Sequence, residues 1–371
     1  MRTYKYRLCP TKYQVQLLAD TLESCRALYN CAIEQRKLAY RQFGVSLNYY
    51  SQADELKEIK YFPEYKQVYS QVLQDVLKRV DKSFQNFFRR LKNNETPGYP
   101  RFKGKGWYDS FTYPQSGFSL SDNSKGYQRI KLSKIGNIKV KLHRCIKGTI
   151  KTCTIKREVD KWYVCFACEI EPEYLPKTNK SVGIDVGLEK FAALSDGTMV
   201  ENPRYLRKSE AKLKREQRKL SRKTKGSNSR KKQRTKVAKI HRKIKNQRND
   251  FLHKESRKLV ENYDVIVFED LRIKNMVKNH RLAKSISDAS WSKFIEYTTY
   301  KAESAGRKVI FVNPRNTSQT CSGCGVIVKK SLSVRVHKCP HCGLVLDRDV
   351  NAAINILRAG TAPGGATAVA G

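Results

Sequence analysis

The first third of the chain switches between two hydrophobic periods. Residues 1–9 alternate polar and aromatic side chains, which predicts a β-strand. Between residues 12 and 42 the apolar positions recur every three or four residues, and a second stretch of this kind runs over residues 64–91. The two stretches predict long helices, and we expect residues 12–95 to form a small helical module.

Residues 109–172 return to short alternating runs. Such runs lie at residues 110–113, 136–140, 152–155 and 162–166. Their spacing predicts a meander or a small β-barrel, with the first strand of the chain as a candidate to complete it.

The second half of the chain mixes apolar strands with helical patterns. Its predicted order is a three-stranded meander, a helical insertion, a strand, a helix, a strand, a cysteine-rich ribbon and a last helix, which fits a ribonuclease-H-like fold. The tail, residues 359–371, consists mostly of Gly, Ala, Thr and Pro and is predicted to be disordered. The predicted elements are strands at 182–186 and 191–194, a strand at 265–268, a helix at 290–305, a strand at 308–312 and a helix at 350–357.

Charge narrows the class of partner. The chain carries 75 Lys and Arg against 34 Asp and Glu, a net charge of +41. Such a charge favours a polyanion, with nucleic acid first and an anionic membrane second. No apolar run is long enough to span a bilayer and no signal peptide is recognisable, so we expect a cytoplasmic protein without a membrane partner.

Two basic segments are candidates for nucleic-acid contact. About half of residues 204–248 are Lys or Arg on a helical pattern, and residues 226–229 predict the turn of a helical hairpin. Like charges four residues apart destabilise a helix unless a partner neutralises them, which favours contact with nucleic acid. Residues 97–106 combine Pro, Gly, basic and aromatic residues. This segment suits a nucleic-acid backbone, and a solvated linker is an equally open interpretation.

Four cysteines form a metal-binding pattern. Two C-x-x-C pairs stand about fourteen residues apart, a spacing that closes a tetrahedral site and leaves no open coordination position. In a reducing compartment, paired cysteines indicate metal ligands rather than disulfides. We therefore predict one structural Zn²⁺, with His337 and His341 surplus to the ligand set. The ligands are Cys321, Cys324, Cys339 and Cys342.

Three acids on separate elements suggest a nuclease. Asp185 lies within a predicted strand, Glu269 ends a buried strand, and Asp349 begins the last helix. Mg²⁺ prefers oxygen ligands, and two such ions can bind both the attacking and the leaving oxygen of a phosphodiester. Asp347, two residues from Asp349, remains an alternative for the third position.

These features occur within motifs that resemble the transposon-encoded TnpB (OrfB) proteins, compact relatives of type V CRISPR effectors. The resemblance extends over nearly the whole chain, and its motifs are specific as a set. They are YRLCPT at residues 6–11, PGYPRFK at 97–103, GIDVG at 183–187, FEDL at 268–271, TSQTCSGCG at 317–325 and DRDVNAA at 347–353.

The resemblance implies an RNA-guided DNA endonuclease of mixed α/β and α+β multidomain architecture. It implies a guide RNA from the transposon end, a target DNA with a short flanking motif, and catalytic acids at Asp185, Glu269 and Asp349. The implied domains are a wedge-like β-barrel (1–11 and 96–179), a helical recognition lobe (12–95), a ribonuclease-H-like RuvC nuclease (180–315 and 346–358) with a basic insertion (204–250), and a zinc ribbon (316–345).

Two other functions stay open at this point: a catalytically inactive RNA-guided DNA-binding regulator, and an accessory DNA-binding protein of transposition. The complete set of acids favours cleavage over the first. Candidate nucleic-acid contacts, chosen by helix face, polarity and charge, are Ser70, Gln71, Gln74, Lys78, Arg101, Lys103, Lys105, Thr112, Lys231, Lys232 and Arg234.

Overall fold

The computed structural model describes residues 1–59, 61–122, 128–331 and 334–362. The chain divides into two units, Met1–Glu171 and Pro172–Gly371. Most of the predicted tail, residues 363–371, lies outside the described residues. Within the described ranges, no helix combines the length and the apolar character needed to cross a membrane.

The first unit begins with a strand and a long helix. β1 (Arg2–Cys9) leads into α1 (Lys12–Phe43). Thr11 caps α1: its Oγ1 accepts a hydrogen bond from the Gln14 N–H at 3.3 Å, while the Gln14 side chain accepts one from the Thr11 N–H at 3.0 Å. The helix predicted over residues 12–42 is confirmed.

The second predicted helix starts later than expected. Three short helices follow α1, and the long helix α5 begins at Ser70 rather than at residue 64. Tyr69 holds extended backbone, with φ −65° and ψ 132°, so Val68 reaches the core from outside the helix. The apolar period continues through this irregular segment, which is why the pattern placed the start too early. The elements are α2 (Tyr49–Asp54), α3 (Leu56–Ile59), α4 (Pro63–Lys66) and α5 (Ser70–Lys92).

Six further strands build an antiparallel sheet around β1. They are β2 (Ser110–Tyr113), β3 (Phe118–Asp122), β4 (Gln128–Leu132), β5 (Gly136–Lys141), β6 (Thr149–Glu158) and β7 (Lys161–Glu169). The order is β2–β6–β7–β1–β5–β4–β3, so the N-terminal strand lies in the middle. Tyr4, Tyr6 and Leu8 alternate with more exposed residues in β1 and enter the same hydrophobic core as apolar residues of α1 and α5.

The second unit contains a five-stranded sheet with helices and a small two-stranded ribbon. Its elements are β8 (Ser181–Val186), β9 (Lys190–Leu194), β10 (Met199–Glu201), α6 (Tyr205–Ser221), α7 (Asn228–Asn262), β11 (Val265–Glu269), α8 (Ile273–Met276), α9 (Ala283–Ala289), α10 (Trp291–Ser304), β12 (Lys308–Val312), β13 (Val336–Lys338), β14 (Val345–Asp347) and α11 (Arg348–Thr361).

The five-stranded sheet has the order β10–β9–β8–β11–β12. β8, β9 and β10 form an antiparallel meander, whereas β11 runs parallel to both β8 and β12. Ile266, Val267 and Phe268 of β11 are buried on both faces, as expected for a central parallel strand. The succession of strands and helices predicted from the sequence is present.

The basic hairpin consists of α6 and α7. Ser227 caps α7 by accepting a hydrogen bond from the Arg230 N–H at 3.1 Å. Between the helices, the Gln233 side chain donates to the carboxylate and to the backbone carbonyl of Glu216, at 2.7 and 3.0 Å. This buried polar contact fixes one helix against the other.

The last helix packs directly on β8 through a glycine. An ideal Cβ on Gly183 would lie 2.2 Å from the carbonyl oxygen of Ala353 and 2.5 Å from the backbone nitrogen of Leu357. Only a residue without a side chain permits this approach.

The helix α11 is also longer than the predicted 350–357. It runs from Arg348 to Thr361, so residues 359–361 belong to it and not to a disordered tail. Gly360 is buried, and a Cβ there would lie 2.5 Å from a methyl group of Val267. Burial against β11 keeps a sequence of low helix propensity in the helix.

We expect Gly183→Ala to destabilise the second unit. Because the added methyl group meets backbone atoms that cannot rotate away, overpacking should cost about 1–3 kcal/mol or more. Thermal unfolding of both proteins measures this cost. Gly98→Ala is the control, since its Cβ would meet only Arg90 Nη1 at 3.8 Å. Equal melting temperatures for Gly183→Ala and wild type would contradict the packing of α11 on β8.

Candidate active site and metal centre

Three acids lie on adjoining elements of the second unit. Asp185 is in β8, Glu269 ends β11, and Asp349 lies in the first turn of α11. Phe268 is paired with Ile184 in the parallel register, so the next residues on the two strands are Glu269 and Asp185. Neighbouring strands are about 4.8 Å apart, and residues in register share a face of the sheet. The backbone therefore brings two acids side by side, and α11 adds the third.

Burial and neighbouring charges shift the pKa values of Asp185 and Glu269. Burial, followed by the charges of Glu269 and Asp349, raises the pKa of Asp185 to about 8, although the charge of Arg348 acts in the opposite direction. Burial also raises the pKa of Glu269, against a hydrogen bond that Thr317 Oγ1 donates to its Oε1 at 2.5 Å. The acids form a cluster whose negative charge is only partly compensated.

Asp347 and Asp349 have different roles in the structure. Asp347 is the N-cap of α11, and its Oδ1 accepts hydrogen bonds from the N–H groups of Asp349 and Val350 at 2.8 and 3.3 Å. Asp349 raises the pKa of Asp185 more strongly than Asp347 does. This geometry favours Asp349 as the third acid.

Two arginines contact Asp349, and sequence reasoning did not single out either of them. Arg348 donates to Oδ1 from Nε and Nη2 at 3.0 and 2.9 Å. Arg335 Nη1 lies 3.9 Å from Oδ2, while its Nη2 lies 2.7 Å from Glu189. The two arginines partly neutralise the negative charge of Asp349.

A cavity of about 500 Å³ opens beside Glu269.

Four cysteine sulfur atoms are placed to hold a metal ion. Cys321 and Cys342 are 3.6 Å apart between their Sγ atoms, as are Cys324 and Cys339. A tetrahedral site with metal–sulfur bonds of about 2.3 Å requires sulfur atoms about 3.8 Å apart, close to the observed spacing. Among the described residues, only these cysteines bring three or more potential ligand atoms within 4.8 Å of one another. The three carboxylates stand farther apart and form no closed cage.

The thiol chemistry of the cluster agrees with this placement. Hydrogen bonds from the backbone N–H groups of Cys342 and His341 lower the pKa of the Cys339 thiol, which favours its thiolate form. Neither His337 nor His341 belongs to the ligand group. His337 is buried and its Nδ1 contacts Lys330 Nζ, which agrees with its prediction as a non-ligand.

Polar residues of α11 hold the cysteine cluster in place. Asn351 Oδ1 accepts a hydrogen bond from the Ser322 N–H at 2.9 Å, and Asn351 Nδ2 donates to the Thr320 carbonyl at 2.8 Å. Asn355 donates to the carbonyls of Thr317 and Thr320, at 2.9 and 2.7 Å. The segment that contains Cys321 is thus fixed to the helix that contains Asp349. The asparagine in the motif at 347–353 was visible in the sequence, but its partners were not.

The candidate nucleic-acid contacts of the first unit fall into two places. One face of α5 carries Gln71, Gln74 and Lys78. Ser70 is the first residue of this helix. Gln74 and Lys78 are exposed, whereas Gln71 accepts a hydrogen bond from Ser116 Oγ at 3.2 Å. Thr112 in β2 accepts a hydrogen bond from Arg79 at 2.7 Å, so part of its capacity is already used.

The segment at 97–106 is anchored at one point and open elsewhere. Arg101 and Lys105 are exposed, whereas Lys103 is half-buried and its backbone is hydrogen-bonded to Asn30. This anchoring argues against an unstructured linker. In the second unit, exposed residues of α7 include Lys231, Lys232 and Arg234.

Comparison with known proteins decides the family. The family model described as "Probable transposase" (OrfB_IS605) matches residues 165–280. A second model, described as "Cas12f1-like, TNB domain", matches residues 291–356. A protein of Streptomyces pristinaespiralis named "Putative RNA-guided DNA endonuclease" is 35% identical over 377 residues, covering 97% of this chain and 90% of the relative. The chain belongs to the TnpB (OrfB) family.

Further relatives agree with the TnpB assignment. "Putative RNA-guided DNA endonuclease InsQ" of Escherichia coli is 34% identical over 382 residues, covering 98% of this chain and 93% of the relative. The solved structure of a Cas12f1–sgRNA–target DNA complex superposes with a TM-score of 0.60 at 15% identity, covering 93% of this chain and 83% of that chain. This likeness shows that the fold is shared with a compact type V effector.

One matched description does not agree with the local structure. A family model described as "Helix-turn-helix domain" matches residues 1–44. In this TnpB protein they form one strand and one uninterrupted 32-residue helix.

The raised pKa of Asp185 predicts a pH-dependent gain in stability for Asp185→Asn in metal-free protein. Because the pKa of Asp185 is near 8 in the folded protein, above its ordinary 3.8, the folded carboxyl stays protonated at pH values where the unfolded one has ionised. The stability of wild type is therefore highest below pH 4 and falls as the pH rises toward 8. The advantage of the variant should therefore grow between pH 5 and pH 8 by up to about 1.4 kcal/mol per pH unit, where ~1 kcal/mol corresponds to roughly 2–4 °C.

Thermal unfolding with chelator present measures this difference. Asp196→Asn is the matched control: burial raises the pKa of Asp196, but hydrogen bonds from Tyr263 and Thr198 outweigh it and lower the pKa overall. That variant should lose a constant amount of stability over the same pH range. A difference between Asp185→Asn and wild type that does not change with pH would contradict the raised pKa of Asp185.

Proposed function

We propose that the chain is an RNA-guided DNA endonuclease of a transposon, which cleaves DNA beside a short flanking motif by metal-dependent phosphodiester hydrolysis. The observation that carries the proposal is the electrostatic cluster of Asp185, Glu269 and Asp349. Relatives that match nearly the whole chain bear the name of such endonucleases. The complete cluster gives no support to a catalytically inactive regulator.

The strand order supports a ribonuclease-H-like (RuvC) nuclease in the second unit. An antiparallel meander joined to two parallel strands, with α11 on β8, is the arrangement expected for that fold. Glu269 stands at the carboxyl end of β11 next to Asp185 of β8, and open sheets bind ligands at such edges. We assign residues 180–315 and 346–361 to the nuclease, 316–345 to the ribbon, 12–95 to the recognition lobe, and 1–11 with 96–179 to the wedge-like barrel.

Asp185, Glu269 and Asp349 would hold two Mg²⁺ ions. When bound, such a pair activates an attacking water and stabilises the leaving oxygen of a phosphodiester. The residues fit these ions because a divalent cation would offset both the burial and the repulsion by Glu269 and Asp349 that raise the pKa of Asp185. Thr317 orients Glu269 through its hydrogen bond. Arg348 donates hydrogen bonds to Asp349, so it would have to share this carboxylate with a bound metal ion or move away from it.

The charge distribution supports two nucleic-acid partners, a guide RNA and a target DNA. Base pairing would read most of the target, and the protein would bind backbone and read the flanking motif. We propose that the exposed face of α5, with Gln74 and Lys78, contributes to motif reading. The basic hairpin of α6 and α7 would neutralise phosphates, because it has many more basic than acidic residues.

Asp185→Ala and Asp349→Ala should each abolish cleavage while leaving binding of guide RNA and target largely intact. Loss of metal-held charge stabilisation removes several kcal/mol, and ~4 kcal/mol corresponds to about a 10³-fold lower rate. Cleavage and binding are measured side by side on the purified protein–RNA complex. Asp250→Ala is the control, because this acid is exposed and pairs only with Lys254 among the described residues.

Cleavage by either active-site variant at the wild-type rate would exclude the assigned acids. A wild-type complex that binds target and never cuts in Mg²⁺ would favour the regulator. Failure to bind a structured RNA would favour an accessory DNA-binding protein.

We also propose that the four cysteines hold one structural Zn²⁺. Their sulfur spacing fits tetrahedral coordination, and four thiolates leave no position for a substrate. Because Asn351 and Asn355 bind the Cys321 segment to α11, the metal would indirectly stabilise the position of Asp349.

Cys339→Ser should release the zinc and lower the stability of the second unit. Elemental analysis should show one zinc per wild-type chain and less than one in the variant, with a lower melting temperature. Cys153→Ser tests for a general effect of cysteine loss, because Cys153 is buried in the first unit away from the cluster. Well-folded wild-type protein without zinc would contradict the proposal.

A further inference from the structure

Trp107 is the exposed member of three tryptophans. Its side chain is 78% exposed, whereas Trp162 and Trp291 are buried. A single exposed aromatic residue is common on protein surfaces and needs no functional explanation by itself. The surroundings of Trp107 therefore decide whether it has a role.

Trp107 is held in a tight turn of residues 104–107. Its N–H donates to the carbonyl of Gly104 at 3.0 Å. Gly106 occupies the third position of the turn with φ +81°, a conformation that favours glycine. The indole lies beside Gly104, where an added Cβ would be 3.4 Å from Trp107 Cδ1. The turn fixes the backbone of Trp107 and leaves most of its ring open to solvent.

The turn is anchored on both sides. Before it, the Asn30 side chain accepts from the Lys103 N–H at 2.7 Å and donates to the Lys103 carbonyl at 3.0 Å. Arg26 Nη1 donates to the same carbonyl at 3.0 Å. After it, Tyr108 is buried and packs against Tyr29, with ring centroids 5.8 Å apart. The exposed aromatic ring is thus presented by a fixed segment, which lowers the entropy lost on binding.

Basic side chains surround the turn. Arg101 and Lys105 are exposed, and in the part of the chain that the structure describes neither has an ion-pair partner. A hydrogen bond from Arg26, together with the charges of Lys105 and Arg157, holds the pKa of Glu23 below its usual value. The charge of Lys105 thus acts on Glu23, while the side chains of Arg101 and Lys105 stay exposed.

We propose that Trp107 stacks on an unpaired nucleobase of a single strand whose phosphates contact Arg101 and Lys105. A flat aromatic ring beside basic residues is what sequence-tolerant binding of single strands requires, because every base offers a π-face. The inference rests on the proposed function for the presence of such a strand. The strand is either RNA of the guide or DNA displaced from the target duplex, and the experiment separates them.

Tryptophan fluorescence of the full-length protein tests the contact. The emission of wild type minus that of Trp107→Phe isolates Trp107 and should be red-shifted and quenched by acrylamide. A short single-stranded oligothymidylate or oligouridylate, with binding followed independently by anisotropy, should quench this difference emission saturably. Binding that leaves the difference emission unchanged would overturn the proposal.

Affinity variants separate stacking from charge. Trp107→Leu should raise the dissociation constant by about 5- to 150-fold, the loss expected for one stacked base, while Trp107→Phe retains most of the affinity. The dependence of log affinity on log salt should keep its slope in Trp107→Leu, because no phosphate contact is lost, and should flatten by about 0.7 in Lys105→Gln. Tyr61→Leu removes an 86% exposed aromatic residue and should bind as wild type does.

Wild-type affinity in Trp107→Leu would overturn the inference, as would a large fall in its melting temperature, which would mark a packing role. Protection of Trp107 from acrylamide in the protein–RNA complex identifies guide RNA as the source of the strand. Protection that appears only after target binding identifies DNA.

The cleavage assay is a separate measurement. Cutting without fluorescence quenching refutes this inference alone, and quenching without cutting refutes the proposed endonuclease alone.

Discussion

The seating of α11 on β8 is the contact on which the active-site geometry depends. Gly183 has no side chain, so the backbone of Ala353 can approach the strand directly. Because Asp185 follows Gly183 by two residues and Asp349 precedes Ala353 by four, this approach brings their charges close enough to interact. A side chain at Gly183 would displace the helix, and Asp349 would move with it.

The same helix links the metal centre to the acids. Asn351 and Asn355 bind the backbone around Cys321, while Asp347 caps the helix and Asp349 faces Asp185. One helix therefore carries a cap, an acid and two positioning amides within three turns. The cysteine cluster, which is placed to hold a metal ion, and Asp349 are therefore positioned by the same rigid element.

Charge works against stability at two places in this fold. Burial, followed by the charges of Glu269 and Asp349, raises the pKa of Asp185, and the hairpin concentrates like charges on α6 and α7. Both regions are built on well-packed frameworks: the acids on a sheet with a buried central strand, and the hairpin on the buried contact between Glu216 and Gln233. Each charge cluster is more favourable with an oppositely charged partner, a cation for the acids and a polyanion for the hairpin.

Sequence alone determined the elements whose local pattern is strong. The period of α1, the alternation of β1 and the spacing of the cysteines each depend on neighbouring residues. The three acids could be named because Glu269 ends a strand and Asp349 begins a helix, where ligands gather, and because Asp185 lies in a strand motif that resembles the TnpB proteins.

Only tertiary structure decided the features that depend on distant contacts. The start of α5 at Ser70 follows from core packing of Val68, and the extension of α11 to Thr361 follows from burial of Gly360 against Val267. Asp347 caps the N-terminus of α11, a role that the motif did not reveal, and this supports Asp349, which the family resemblance already implied, as the third acid of the proposed site. The partners of Asn351 and Arg335 lie in other segments of the chain, and the order of residues along a chain carries no direct record of such distances.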